Sequence, residues 1–199
     1  MRGMLLHAGL LSSLLAGGAP EPAGSSNSGA YVLVSPGILN INLSTTVDKY
    51  GHQWGTQAGR LWRSKRHLAI GVGAGFEHAW FPYSISFGIP TAEFISHFLR
   101  LQAETMPGLM FVDGKLFVHA TVGLGYFLIV TRSTFMGTTE VVPDAHGPVL
   151  SPGVGLSYRV WRGLAVGVQA GFDLQWVAAV GPLYFAPALD LDVSLGWFF

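Results

Sequence analysis

The sequence predicts an all-β chain, folded as an eight-stranded antiparallel up-and-down transmembrane β-barrel. Three observations predict it. Hydrophobic residues make up 50% of the 199 positions and charged residues only 11%, against about 25% charged in an ordinary soluble domain. Every apolar stretch after residue 30 is broken within a few positions by Gly, Pro or a polar side chain, and the 27 glycines disfavour helix. A spanning helix needs roughly 20 apolar residues in succession, so the remaining way across a bilayer is a closed barrel, which pairs every backbone group internally. Finally, long segments alternate apolar and polar-or-glycine residues with period two, the signature of strands with one greasy face.

The composition also bounds function. Eleven basic and eleven acidic residues cancel, which leaves no electrostatic footprint for nucleic acid. The absence of cysteine excludes disulfides, zinc–thiolate sites and thiol nucleophiles. No cofactor-binding motif is found.

The chain opens with "MRGMLLHAGLLSSLLAGGAPEPAG". Arg2 precedes an apolar core, Met4 to Leu15, and a small-residue exit, which reads as a secretory signal peptide over residues 1–23. Cleavage after Gly18, Ala19 or Ala23 fits. Residues 24–29 read as a linker and 30–199 as the barrel.

Taken in order, the strands begin with Leu39 to Thr46, extending back toward Tyr31, and Gln53 to Trp62. "HLAIGVGAGFEHAW" (His67–Trp80) sets Leu68, Ile70, Val72, Ala74 and Phe76 against glycines and Glu77. "FLRLQAETMPGLMF" (Phe98–Phe111) sets Leu99, Leu101 and Ala103 against Arg100, Gln102 and Glu104. "LFVHATVGLGYFLIV" (Leu116–Val130) carries His119, Thr121, Gly123 and Gly125 on its second face. "VLSPGVGLSYRVW" (Val149–Trp161) carries Ser151, Gly153, Gly155 and Arg159 there. In "LAVGVQAGFDLQW" (Leu164–Trp176) every even position is apolar, and Gln169 and Asp173 fall on odd ones. "LDLDVSLGWFF" (Leu189–Phe199) closes the set with Asp190 and Asp192 opposite its greasy face.

Connections alternate in length. Arg63–Arg66, Val112–Lys115 (with the hairpin signal Asp113-Gly114) and Arg162–Gly163 are tight. Phe81–Glu93, Thr131–Gly147 and Val177–Tyr184 are expected to be longer loops on the opposite end, where the short Val47–His52 connection also falls. In outer-membrane barrels the short turns are periplasmic and the long loops extracellular. Aromatics on the greasy face bracket an aliphatic band. Trp54, Trp80, Trp176 and Phe185 lie toward the loops, and Trp62, Phe111, Tyr158, Trp197 and Phe199 toward the turns, as expected of interfacial belts. A soluble lipocalin-like barrel would turn its aliphatic face inward, but the alternate face is too rich in glycine and too poor in Lys and Glu for a solvated exterior.

On these residues the chain from about residue 30 onward resembles the small outer-membrane β-barrels of the outer membrane protein A and X type. The resemblance implies that Trp197 and Phe199, an aromatic last residue with another two before it, are an assembly signal read by the barrel-assembly machinery. Ser194 stands where the family often has glycine. It further implies a bacterial outer-membrane location, a monomer, contact with outer-membrane lipids and lipopolysaccharide, and an unidentified surface partner.

Inside such a barrel, Glu77, Arg100, Glu104, Arg159, Asp173, Asp190 and Asp192 are expected to form a polar network in the lumen. Glu77 would pair with Arg100, and Arg159 would reach Asp192. Lumen glycines would make room for long polar groups from the opposite wall, in a barrel just wide enough for side chains to fill. A static plug is expected, with an ion path as the alternative. No catalytic arrangement is found. His78, His97 and His146 are scattered toward the loop end, and Ser96 and His97, being adjacent on a strand, point to opposite faces. "EVVPDAHG", with Glu140, Asp144 and His146, reads as a polar loop rather than a metal site. The arginines and lysine of "GRLWRSKRH" read as a solvated turn or a contact for anionic headgroups. A structural or surface-interaction role is expected, with a narrow pore and a lipid A-modifying enzyme as alternatives.

Overall fold

In a computed structural model of the chain, residues 28–42, 48–64, 67–86, 91–178 and 184–199 are described. The expected signal peptide lies outside them. The strands are β1 (Ser28–Asn42), β2 (Asp48–Arg63), β3 (Leu68–Ser86), β4 (Thr91–Phe111), β5 (Leu116–Phe135), β6 (Thr138–Trp161), β7 (Leu164–Val177) and β8 (Tyr184–Phe198). Each pairs antiparallel with its sequence neighbours, and β8 returns to β1 from Tyr31↔Phe198 to Ile41↔Ala188. The sheet is a closed eight-stranded barrel, so it leaves no edge within its spanning wall.

The faces sort by period two. Leu101 and Leu124 are each 65% exposed on the outer wall, beside Gln102 and Gly123, which are buried in the lumen. The aliphatic face therefore points outward, which suits lipid and excludes the lipocalin arrangement. Among the described residues no helix is long and apolar enough to cross a membrane.

Two expected loops are shorter than the sequence suggested. Phe81–Glu93 is mostly strand, because β3 runs to Ser86 and β4 starts at Thr91. Thr131–Gly147 is a hairpin: β5 pairs with β6 as far as Phe135↔Thr138, around Met136-Gly137. Both turn residues have positive φ (48° and 80°), the two-residue turn whose twist matches the flanking strands. A register shift between Ile129 and Val130 leaves Asp144 unmatched, a bulge of the kind that re-aims a strand. β1 also begins earlier than expected, taking Ser28 and Gly29 from the expected linker.

Candidate functional site

The lumen is layered. Toward the loop end it is filled by Leu39, Phe81, Phe98, Phe127, Ile129, Val149 and Val177, all buried, with the Phe98 and Phe127 rings stacked at 5.6 Å. Toward the turn end it is filled by Tyr31, Leu33, Leu61, Met106, Met110, Phe117 and Phe198, with Tyr31 and Phe198 5.9 Å apart. Between these apolar layers lies a polar one. A single strand can supply the sequence of layers by alternate residues: on β4, Phe98, then Arg100, Gln102 and Glu104, then Met106.

Arg100 is the centre of the polar layer and only 2% exposed. It forms ion pairs with Glu77, its direct cross-strand neighbour on β3, and with Asp173 on β7. Its Nη2 donates to Asp190 Oδ2 on β8 at 2.9 Å, and its Nη1 to Ser151 Oγ on β6 at 3.2 Å. Ser151 in turn donates to Asp173 at 2.7 Å. From β2, Gln53 Nε2 donates to Asp190 at 2.6 Å and to Asp192 at 2.8 Å. Glu77, Asp190 and Asp192 bring carboxylate oxygens within 4.8 Å of one another, and the cation set against them is the Arg100 guanidinium. Hydrogen bonds and opposite charge are what make a buried charge tolerable, and Arg100 has both.

Two expected members lie elsewhere. Glu104 accepts a hydrogen bond from Gln57 Nε2, below the Arg100 cluster. Arg159 does not reach Asp192. In register, Asp192 stands level with Gln169 on β7 and Gly155 on β6. Arg159 lies four residues further toward the turns, about 13 Å along the strand. Its guanidinium sits 5.9 Å over the Phe198 ring, at the foot of the apolar layer. The glycines also act differently from expectation. Several seat side chains of adjacent strands rather than of the opposite wall: His119 covers its pairing partner Gly155, and Gln102 covers Gly123 and Gly125, while the Tyr31 hydroxyl reaches from β1 over Gly73 on β3.

On the outer wall, Trp54 (40% exposed) stands toward the loop end, and Trp62 (41%) and Tyr158 (40%) toward the turn end. Trp80, Trp176 and Trp197 are half-buried on the same face, and Phe199 is exposed. Two of the three histidines that the sequence reads as scattered, His78 and His97, lie together. Trp54 Nε1 donates to His78 Nδ1 at 3.1 Å, and His78 Nε2 lies 3.0 Å from His97 Nδ1 with the two rings stacked. Only the register, which sets Trp54 opposite His78 and puts His97 beside Trp80, brings them together. Ser96 points into the lumen, where its hydroxyl meets Thr131 at 2.8 Å. His146 lies by Tyr126 on the outer wall, and Glu140 is exposed near the hairpin tip.

No family model and no curated protein matches the chain. Solved structures do match its fold. The fold is that of the small outer-membrane β-barrels, and the apolar exterior is that of a barrel wall set in lipid. Neisserial surface protein A is similar at 14% identity and a TM-score of 0.52, over 85% of this chain and 97% of that one. A major outer membrane protein from Thermus thermophilus is similar at 13% identity and a TM-score of 0.61, over 86% and 99%.

Proposed function

We propose that this barrel serves no catalysis and no transport, and presents a raised β-wall to a partner outside the cell. The observation that carries this reading is the unequal height of the rim. Pairing of β3 with β4 continues from Trp80↔His97 to Ser86↔Thr91, and pairing of β5 with β6 from Val130↔Pro143 to Phe135↔Thr138. These strands rise about 20 Å beyond the level of Trp80, whereas β7 ends at Val177, one residue past Trp176. The raised wall exposes Phe135 (43%), Met136 (75%), Val141 (63%) and Val142 (51%). Exposed apolar residues clustered beyond the lipid belt mark an interaction surface. Two apolar layers stopper the lumen, which argues against a pore. Ser96 and His97 on opposite faces of β4 give no nucleophile–base pair there.

The chain has no cysteine, so Met136→Cys supplies a single thiol at the wall's tip. A membrane-impermeant maleimide should label it on intact cells. Labelling only after the outer membrane is permeabilised would place the tip on the periplasmic side and end this reading.

A further inference from the structure

We propose that the turn-end mouth of the barrel holds a phosphate-type oxyanion between Arg63, Arg159 and Arg162. The three arginines come from the end of β2, the end of β6 and the β6–β7 turn, and they line one recess of about 460 Å³. Among the described residues no acidic side chain lines that recess, and the anionic group at its border is the carboxylate of the last residue, Phe199. Among the described residues every ion pair belongs to Arg100, in the middle of the barrel. The Arg159 Nε is buried and has no hydrogen-bond partner, although the same guanidinium is held in place over Phe198. Arg63 and Arg159 are close enough for their charges to act on each other.

Like charges gathered in a partly buried recess repel, and the repulsion is relieved by an anion between them. Guanidinium presents a rigid fork of N–H donors that matches the oxygens of a phosphate group. The recess also straddles the rim. Arg159 and Phe198 face the lumen side, while Trp197 and Phe199 stand on the lipid side. In barrels of this kind the turn end faces the periplasm. The phosphate therefore has two sources: the headgroup of an anionic lipid in the facing leaflet, whose chains would lie along Trp197 and Phe199, or a soluble phosphate compound of the periplasm.

The full chain, refolded in detergent and in nanodiscs, tests this with inorganic pyrophosphate and with phosphatidylglycerol set against phosphatidylcholine. A ligand that binds the folded state raises the unfolding temperature saturably, and native mass spectrometry reports retained lipid. Retention of phosphatidylglycerol over phosphatidylcholine assigns the site to a headgroup, and stabilisation by pyrophosphate alone assigns it to a soluble phosphate. In either case Arg63→Gln and Arg159→Gln should each weaken binding about tenfold. Arg132→Gln, near the loop end, should leave it unchanged. Retention of the boiling-dependent gel shift shows that each variant is folded. No binding of either probe overturns the proposal, as does binding that survives the double variant Arg63→Gln/Arg159→Gln or is lost equally in Arg132→Gln.

Discussion

Arg100 donates to Asp190 across the full width of the lumen, at 2.9 Å, and so ties β4 to β8, strands on opposite sides of the ring. With Glu77, Ser151, Asp173 and Gln53 the same cluster joins six of the eight strands. A barrel wall is held by neighbour-to-neighbour pairing alone. This cluster adds cross-links that only the closed ring can make.

Replacing Arg100 with Met should therefore be costly, since it leaves several carboxylates buried without their cation. Breaking a buried ion pair from one side typically costs about 3–5 kcal/mol. Urea unfolding of the variant in lipid vesicles should show a loss of that order. A loss under about 1 kcal/mol would mean that the cluster is hydrated and does not hold the barrel together.

The lumen should carry no current. Phe98 and Phe127 above the polar layer are fully buried, and Tyr31 below it is 1% exposed, so an ion would have to cross two dry layers. Wild-type protein in a planar bilayer should be silent at all voltages that the bilayer withstands. Discrete, reproducible current steps would show that the apolar layers open.

The seating of side chains over glycines can be tested at one pair. A methyl group at Gly155 would lie 2.8 Å from His119 Nε2, and its nearest neighbours are all atoms of that ring. Gly155→Ala should cost about 1–3 kcal/mol by overpacking. In the His119→Ala background the same change should cost far less, a coupling that a double-mutant cycle measures directly. Equal costs in both backgrounds would place the strain in the backbone.

Much of this architecture is legible in the sequence because lipid imposes a strict rule on one face. Leu164 to Trp176 alternates without a break, and the structure has β7 from Leu164 to Val177. Legibility fails where both faces are apolar. In Tyr126 to Val130 the lumen side (Phe127, Ile129) is as greasy as the lipid side, so the apolar stoppers leave no period-two trace and the lumen reads as uniformly polar. The raised wall is obscured for a different reason. Above the bilayer neither face is constrained by lipid, so "TRSTFMGTTEVVPD" looks like a loop while its backbone forms a hairpin. The site splits the same way. Glu77 and Arg100 share a row that adjacent strands fix. The separation of Arg159 from Asp192 depends on stagger accumulated around the ring through β7, which periodicity within one strand does not encode.

A closed barrel embedded in the outer membrane underlies each of these expectations, and one measurement addresses it directly. Cells expressing the chain are fractionated, and the outer-membrane fraction is run on a denaturing gel with and without boiling. The protein should be found in that fraction and change mobility when boiled, because the closed sheet survives detergent until it is heated. Recovery from the soluble periplasmic fraction, with one mobility in both lanes, would mean that no such barrel forms.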